Sequence, residues 1–191
     1  MHPLYCNCMA TTSEQTFNKH VVVAGFVGSF RQEIGALIAE GLGLGVVDTF
    51  DEHTQQALAR GDKELASRSE TAYLADLLDG IPPRLILMRP ESFARARTRG
   101  VMSALGAVSL FVDTEPEVCQ DRITDTVGLY GRRLSSVLFL ETCDHDARNV
   151  ASRRADMIIP YDGVRPIDGV TAGVLAELRA YGSSDLADIG S

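Results

Sequence analysis

No stretch of about 18 or more consecutive apolar residues occurs in these 191 residues, so no conventional membrane-spanning helix is expected. Positive charge is scarce. Eighteen Lys and Arg stand against 26 Asp and Glu, giving a net charge of −8. That balance argues against a general binder of nucleic acid or of anionic membranes, while leaving room for a local basic pocket. The N-terminus lacks a basic region leading into a long apolar run, so no secretory signal is expected. Cysteine is sparse too: Cys6, Cys8, Cys119 and Cys143. Cys6 and Cys8 have C-x-C spacing with only His2 close by, which is too few ligands for a metal site. The expectation is a reduced, cytoplasmic protein with a loose tail over 1–19, in which Met9 is a second candidate start. Internal repeats and low-complexity segments are absent. What is present, 45 % hydrophobic and 23 % charged residues, describes a folded chain of one-domain length.

Strand and helix patterns alternate along that domain, expected over 20–182 with a frayed end at 183–191. Residues 20–26 form a continuous apolar run, as in a strand buried on both faces. Further strands are expected at 45–48, 85–88, 107–112 and 157–159. Helices are expected at 31–43 with Gly43 as a stop, at 51–61 and 63–79, and at 91–104 with Arg95, Arg97 and Arg99. Others are expected after Thr114, read as an N-cap with Pro116 in the first turn, and at 138–152 and 167–181. Five strands separated by helices predict an α/β fold with a parallel sheet covered on both faces. Ligands of such sheets bind at the carboxyl ends of the strands.

The first strand runs into Gly25-Phe26-Val27-Gly28-Ser29-Phe30-Arg31-Gln32-Glu33 and then directly into a helix. This is the placement of a nucleotide-binding P-loop, whose pattern is G-x-x-x-x-G-K-[ST]. Gly25 takes the first glycine. Phe30 stands at the second, Arg31 at the lysine and Gln32 at the Ser/Thr. A P-loop wraps phosphate with backbone N–H groups at a helix N-terminus. Phe30 must adopt a glycine-like backbone or reshape the loop, and its ring competes for phosphate space. Arg31 keeps the charge with a different geometry. Gln32 removes a Mg²⁺-ligating hydroxyl, and Glu33 places a carboxylate where it suits the helix but repels a triphosphate.

Gly25-Phe26-Val27-Gly28, followed by Ile34-Gly35, Leu37-Ile38-Ala39-Glu40-Gly41-Leu42 and Val47-Asp48-Thr49, resembles the opening of the shikimate kinases. The resemblance spans about 20–182 and is densest before residue 50. It implies a single-domain P-loop kinase fold, with ATP and Mg²⁺ as cofactors if the chain is active. Gly25, Gly28, Ser29, Phe30, Arg31 and Gln32 occupy the nucleotide-binding positions. Asp48 falls on the first aspartate of the D-[ST]-D motif, the metal-placing one, while the second falls on Phe50, with Asp51 beside it. Arg68, in Ser67-Arg68-Ser69-Glu70, resembles the arginine of F-R-x-x-E that grips a substrate carboxylate. Arg89-Pro90-Glu91 replaces a Gly-Gly-Gly that lines the substrate pocket. Arg132 or Arg133 takes the place of a lid arginine, and Arg148 that of a second carboxylate clamp. Each arginine also has an ordinary reading as a solvated helix residue, as do Arg95, Arg97, Arg99 and His145.

Three readings follow. The first is a shikimate-kinase-like chain with an eroded nucleotide site, a very weak kinase or a non-catalytic homologue. Its Arg68, Arg89 and Arg148 would bind a small carboxylate or phosphate. The second is an active kinase in which Arg31 replaces the lysine as a catalytic residue, and Asp48 with Asp51 holds Mg²⁺ for ATP. The third is a kinase fold that serves as a module for binding a protein partner.

Overall fold

The computed structural model of the chain describes residues 17–26, 28–50, 52–80, 82–125 and 145–184. Five strands, β1 (Val21–Gly25), β2 (Gly45–Asp48), β3 (Arg84–Met88), β4 (Val108–Thr114) and β5 (Met157–Tyr161), form one parallel sheet in the order β2-β3-β1-β4-β5. The helices are α1 (Arg31–Leu42), α2 (Glu52–Ala59), α3 (Lys63–Leu78), α4 (Pro90–Phe93), α5 (Ala96–Ala104), α6 (Pro116–Asp125), α7 (His145–Arg154) and α8 (Ile167–Ser184). The predicted α/β class and parallel sheet are what the chain forms.

β1 lies in the centre and is wholly buried, which is why Val21-Val22-Val23-Ala24 shows no polar alternation. Its side chains divide between two cores. Val21 and Val23 join Leu85, Leu87, Leu110, Ile34, Ile38 and Leu178 on the face covered by α1 and α8. Val22 and Ala24 join Ile86, Met88, Phe111, Leu74, Phe93 and Met102 on the other. Both halves of the sheet therefore depend on one strand, and that strand delivers the loop at Gly25. Among the described residues, no helix is long and apolar enough to cross a membrane.

Caps fix the helix ends near the site. α1 stops at Gly43, whose left-handed backbone (φ 68°) returns its N–H to the last turn. At α3, Asp62 accepts a hydrogen bond from the Leu65 N–H at 2.8 Å. Asp62→Ala is expected to cost about 1 kcal/mol, read as a lower urea midpoint at unchanged slope.

Two expectations change. The helix predicted over 91–104 is two helices, α4 and α5, with Arg95 extended between them (φ −73°, ψ 137°). Both pieces are anchored to α3: Ser92 Oγ donates to Glu70, and Thr98 shares a 2.8 Å hydroxyl pair with Thr71. On one straight helix Ser92 and Thr98, six residues apart, would point about 120° apart. Both reach α3 only if the chain turns. Thr114, expected to cap α6, instead ends β4 and donates its hydroxyl to the Ser29 carbonyl at 3.2 Å. Of the helix predicted over 138–152, the described part is α7.

Candidate functional site

The carboxyl ends of β1, β2, β3 and β4 meet the loop that joins β1 to α1. A turn opens the loop, with the Ser29 N–H on the Phe26 carbonyl at 3.0 Å. Gly28 takes φ 86°, which suits glycine. Phe30 takes φ 63° and ψ 15° as the N-cap of α1, the one non-glycine residue with positive φ among the described residues. The chain has therefore kept the left-handed backbone that the second P-loop glycine normally supplies, at a strain of about 1–2 kcal/mol.

Packing of the ring offsets that strain. Phe30 stands edge-on to Tyr161 at 4.9 Å between centroids. The Arg122 guanidinium lies 3.8 Å over the Phe30 ring, a cation–π contact from α6. Arg122 also forms a forked ion pair with Glu33 in the first turn of α1. The ring is thus turned onto the end of β5, and the carboxylate expected to repel phosphate is matched by a cation. Arg122 was missed in the sequence, where it is the one basic residue of the last turn of α6.

Arg31 does not point out of the loop. Its Nη1 donates to the carbonyls of Gly25 and Met88, both at 3.0 Å, tying the ends of β1 and β3 together. Burial lowers its pKa from the usual guanidinium value. The carboxylates of Asp48, Glu70 and Glu91 oppose that shift, and Arg89 adds to it. Nε and Nη2 have no hydrogen-bond partner among the described residues. Ser29 Oγ is wholly buried and also without a partner. A Cβ on Gly25 would lie 2.4 Å from that oxygen and 3.3 Å from Arg31 Cβ, so the loop closes tightly over its own first glycine.

Asp48, at the end of β2, accepts the Phe50 N–H on Oδ1 at 2.9 Å. Gln32, where a P-loop has its metal-binding hydroxyl, is exposed and offers an amide. Among the described residues no group of three or more His, Cys, Asp or Glu side chains is placed to hold a metal ion. Among the described residues, the metal-binding hydroxyl of a P-loop is replaced by this amide, and Asp48 already accepts a bond from its own turn. Asp51, Arg132 and Arg133 lie outside the described residues.

The three arginines expected to share a substrate pocket are occupied separately. Arg68 sits on the outer face of α3, 60 % exposed and 4.0 Å from Glu64. Arg89 binds the fully buried Glu70 through its own N–H, through Nε at 2.9 Å and through Nη2 at 2.8 Å. Thr49 and Ser92 add hydroxyl donors to the same carboxylate at 2.6 and 2.5 Å. Glu70 thereby joins α3 to the ends of β2 and β3 and to α4. Arg148, on α7, donates Nε to Asp113 at 2.7 Å and reaches Glu115 with its other two nitrogens. Burial works to lower the Arg148 pKa, but hydrogen bonds to Asp113 and Glu115 raise it above the usual value. Of the basic residues expected to be solvated, Arg95 pairs with Glu64 at 2.5 Å, and Arg97 is exposed.

No protein-family model matches the chain, and no curated protein matches it by sequence. Solved structures do match. A shikimate kinase from Bacteroides thetaiotaomicron superposes with a TM-score of 0.71 at 12 % identity, over 84 % of this chain and 98 % of that one. A shikimate kinase from Acinetobacter baumannii in complex with shikimate gives 0.67 at 15 % identity, over 87 % and 96 %. A gluconokinase from Sinorhizobium meliloti gives 0.58 at 17 % identity, over 93 % and 100 %. The chain has a shikimate-kinase-like P-loop kinase fold.

Proposed function

We propose that this chain is a kinase-fold protein with an eroded nucleotide site, a very weak kinase or a non-catalytic homologue, that binds a small carboxylate or phosphate. The observation that carries the reading is the direction of Arg31. Phosphoryl transfer depends on positioned cations and a metal that neutralise charge on the transferred group. Here the cation of the loop is spent on the Gly25 and Met88 carbonyls. Turning it outward breaks both bonds, at about 1.5–3 kcal/mol for each hydrogen bond from a charged donor. Among the described residues, a lysine-less loop, an amide at Gln32 and Asp48 then remain to bind Mg·ATP. Losing one such element commonly lowers a rate by about 10²–10³.

Thermal unfolding with Mg·ATP and with Mg·ADP tests this, followed by coupled ADP release with shikimate. A ligand at 100 times its Kd stabilises the folded state by about 2.7 kcal/mol. The expected outcome is no shift at millimolar nucleotide and a flat ADP trace. A clear shift with turnover that disappears in Arg31→Ala would establish the other reading, an active kinase using ATP and Mg²⁺ through an unusual loop. The small-molecule part of the proposal is supported by the fold, since a neighbour of this fold was solved with shikimate bound. Shikimate and its phosphate are the first probes.

A further inference from the structure

α5 begins without the help that a helix start usually receives. Its N-cap, Arg95, makes no side-chain cap, and its first turn holds no acidic residue. The first helical bond runs from the Arg99 N–H to the Arg95 carbonyl at 3.1 Å. The N–H groups of Ala96, Arg97 and Thr98 therefore have no helical acceptor. Three arginines crowd this positive end, where a cation is unfavourable. Arg95 gives Nη1 to Glu64 at 2.5 Å, with both side chains exposed. Arg99 folds back and donates Nη1 to the Ala94 carbonyl, which puts its guanidinium at the helix start. Arg97 is exposed and forms no ion pair among the described residues. Behind the turn lies α3. There Ser67 Oγ is buried, with 2 % of the residue exposed, and it has no hydrogen-bond partner. Glu64, Ser67 and Thr71 form one stripe of α3 by their i, i+3, i+7 spacing. Glu64 meets Arg95 and Thr71 meets Thr98, so these contacts bracket the first turn of α5. Ser67 lies between them, with its hydroxyl aimed at that turn.

We propose that the start of α5 is a binding site for a phosphate-type dianion. Its donors are Ser67 Oγ, the three first-turn N–H groups and the guanidiniums of Arg95, Arg97 and Arg99. The site goes beyond the function proposed above, since no residue of the loop or of the strand ends takes part. Helix N-termini take such anions because their N–H groups and dipole converge on one point. Helical side chains lean toward the N-terminus, as Arg99 already does, so Arg97 can close on the same point. Three guanidiniums against the one carboxylate of Glu64 leave an excess of positive charge that matches a dianion better than a monocarboxylate. Glu64 is the group that the anion displaces from Arg95, and an exposed pair resists little. A buried hydroxyl left without a partner is costly, and the anion supplies the acceptor that Ser67 lacks. It also supplies the cap that α5 lacks.

Amide-resolved NMR of the full chain tests this, in titrations with inorganic phosphate and separately with glycerol 3-phosphate at constant ionic strength. The amides of Ala96, Arg97 and Thr98 are expected to shift and to saturate at millimolar ligand. Arg97→Ala/Arg99→Ala is expected to weaken binding by about tenfold or more, the scale of a lost charge-assisted bond. Arg153→Ala, which removes a charge from the exposed end of α7, is expected to leave binding unchanged. Ser67→Ala separates ligand contact from packing. It is expected to weaken binding about fivefold while the urea midpoint of the free protein holds or rises, because the free protein loses no hydrogen bond. Glu64→Gln is expected to bind about two- to fivefold tighter. Saturation by the ester as well assigns the site to phosphorylated small molecules, and saturation by inorganic phosphate alone assigns it to the free ion; either supports the site. If only the amides of residues 28–32 respond, the anion belongs to the loop, and this inference falls while the small-ligand reading above stands. If the α5 amides stay still with both ligands, or respond in Arg97→Ala/Arg99→Ala and Ser67→Ala as they do in wild type, the inference is overturned.

Discussion

Glu70→Ala is expected to lower the stability of this protein by about 3–5 kcal/mol, the cost of leaving a buried charge without its partner. Arg89 is largely buried, and Glu70 supplies its carboxylate. Removing that carboxylate leaves the guanidinium with a single 3.3 Å bond to the Ser92 hydroxyl in place of its ion pair, and takes the acceptor from the Ser92 hydroxyl proton and from the Arg89 N–H. Thr49 keeps a second bond, to the Leu87 carbonyl at 3.0 Å, so the end of β2 should suffer least. For a domain of this size, 1 kcal/mol corresponds to roughly 2–4 °C, so the midpoint should fall by about 10 °C. Glu70→Gln retains one acceptor oxygen and should lie between wild type and alanine. The double variant Glu70→Ala/Arg89→Leu removes both charges and should be more stable than Glu70→Ala alone. Urea unfolding of the four proteins measures this. A loss under about 1 kcal/mol in Glu70→Ala would mean that water reaches Arg89 and that the network does not hold these loops.

Much of the fold was legible because its signals are local. An unbroken apolar strand, a glycine stop and a proline at the start of a helix each act within a few residues. Strand order is set by pairings between distant segments and leaves no such mark. For the candidate residues, the sequence placed the chain positions and left the directions of the side chains open. Arg68 and Glu70 show why. Two residues apart on a helix, they point about 160° away from each other, so burying one exposes the other. The resemblance favoured an inward Arg68. The pattern on α3 favoured Glu70, which continues the buried stripe of Ser67, Thr71, Leu74 and Leu78. Read as periodicity, the motif already placed the carboxylate inside. Arg31 is harder. Its charge is visible in the sequence, but its target is a pair of carbonyls, one of them 57 positions away, and carbonyls have no sequence signature. Phe30 is similar: the left-handed backbone was foreseeable from the loop pattern, but the rotation of its ring is decided by Tyr161 and Arg122.

Gly28→Ala should be the most damaging small substitution in the loop, costing about 2–6 kcal/mol. Two effects add. At φ 86° a side chain is strained by about 1–3 kcal/mol. The new Cβ would also lie 2.5 Å from the Cys119 carbonyl oxygen and 3.1 Å from its Cα. Those are backbone atoms of α6, so the helix must shift, and forced overpacking costs about 1–3 kcal/mol. Gly43→Ala is the control. Its φ is also left-handed, at 68°, but nothing lies within 4 Å of its added Cβ. It should cost only about 1 kcal/mol, and the difference between the two isolates the contact of the loop with α6. Equal losses in the two variants would show that backbone strain alone is at work and that α6 is not seated on the loop. A larger loss at Gly28 would tie the loop to α6 and β4 through three separate contacts: Gly28 on Cys119, Phe30 under Arg122, and the Ser29 carbonyl on Thr114. A phosphate-binding loop must leave its backbone N–H groups open to the ligand. Such a result, with Arg31 tying the other side of the loop to β3, would support the proposal that the loop serves as a structural joint rather than as a phosphate cradle.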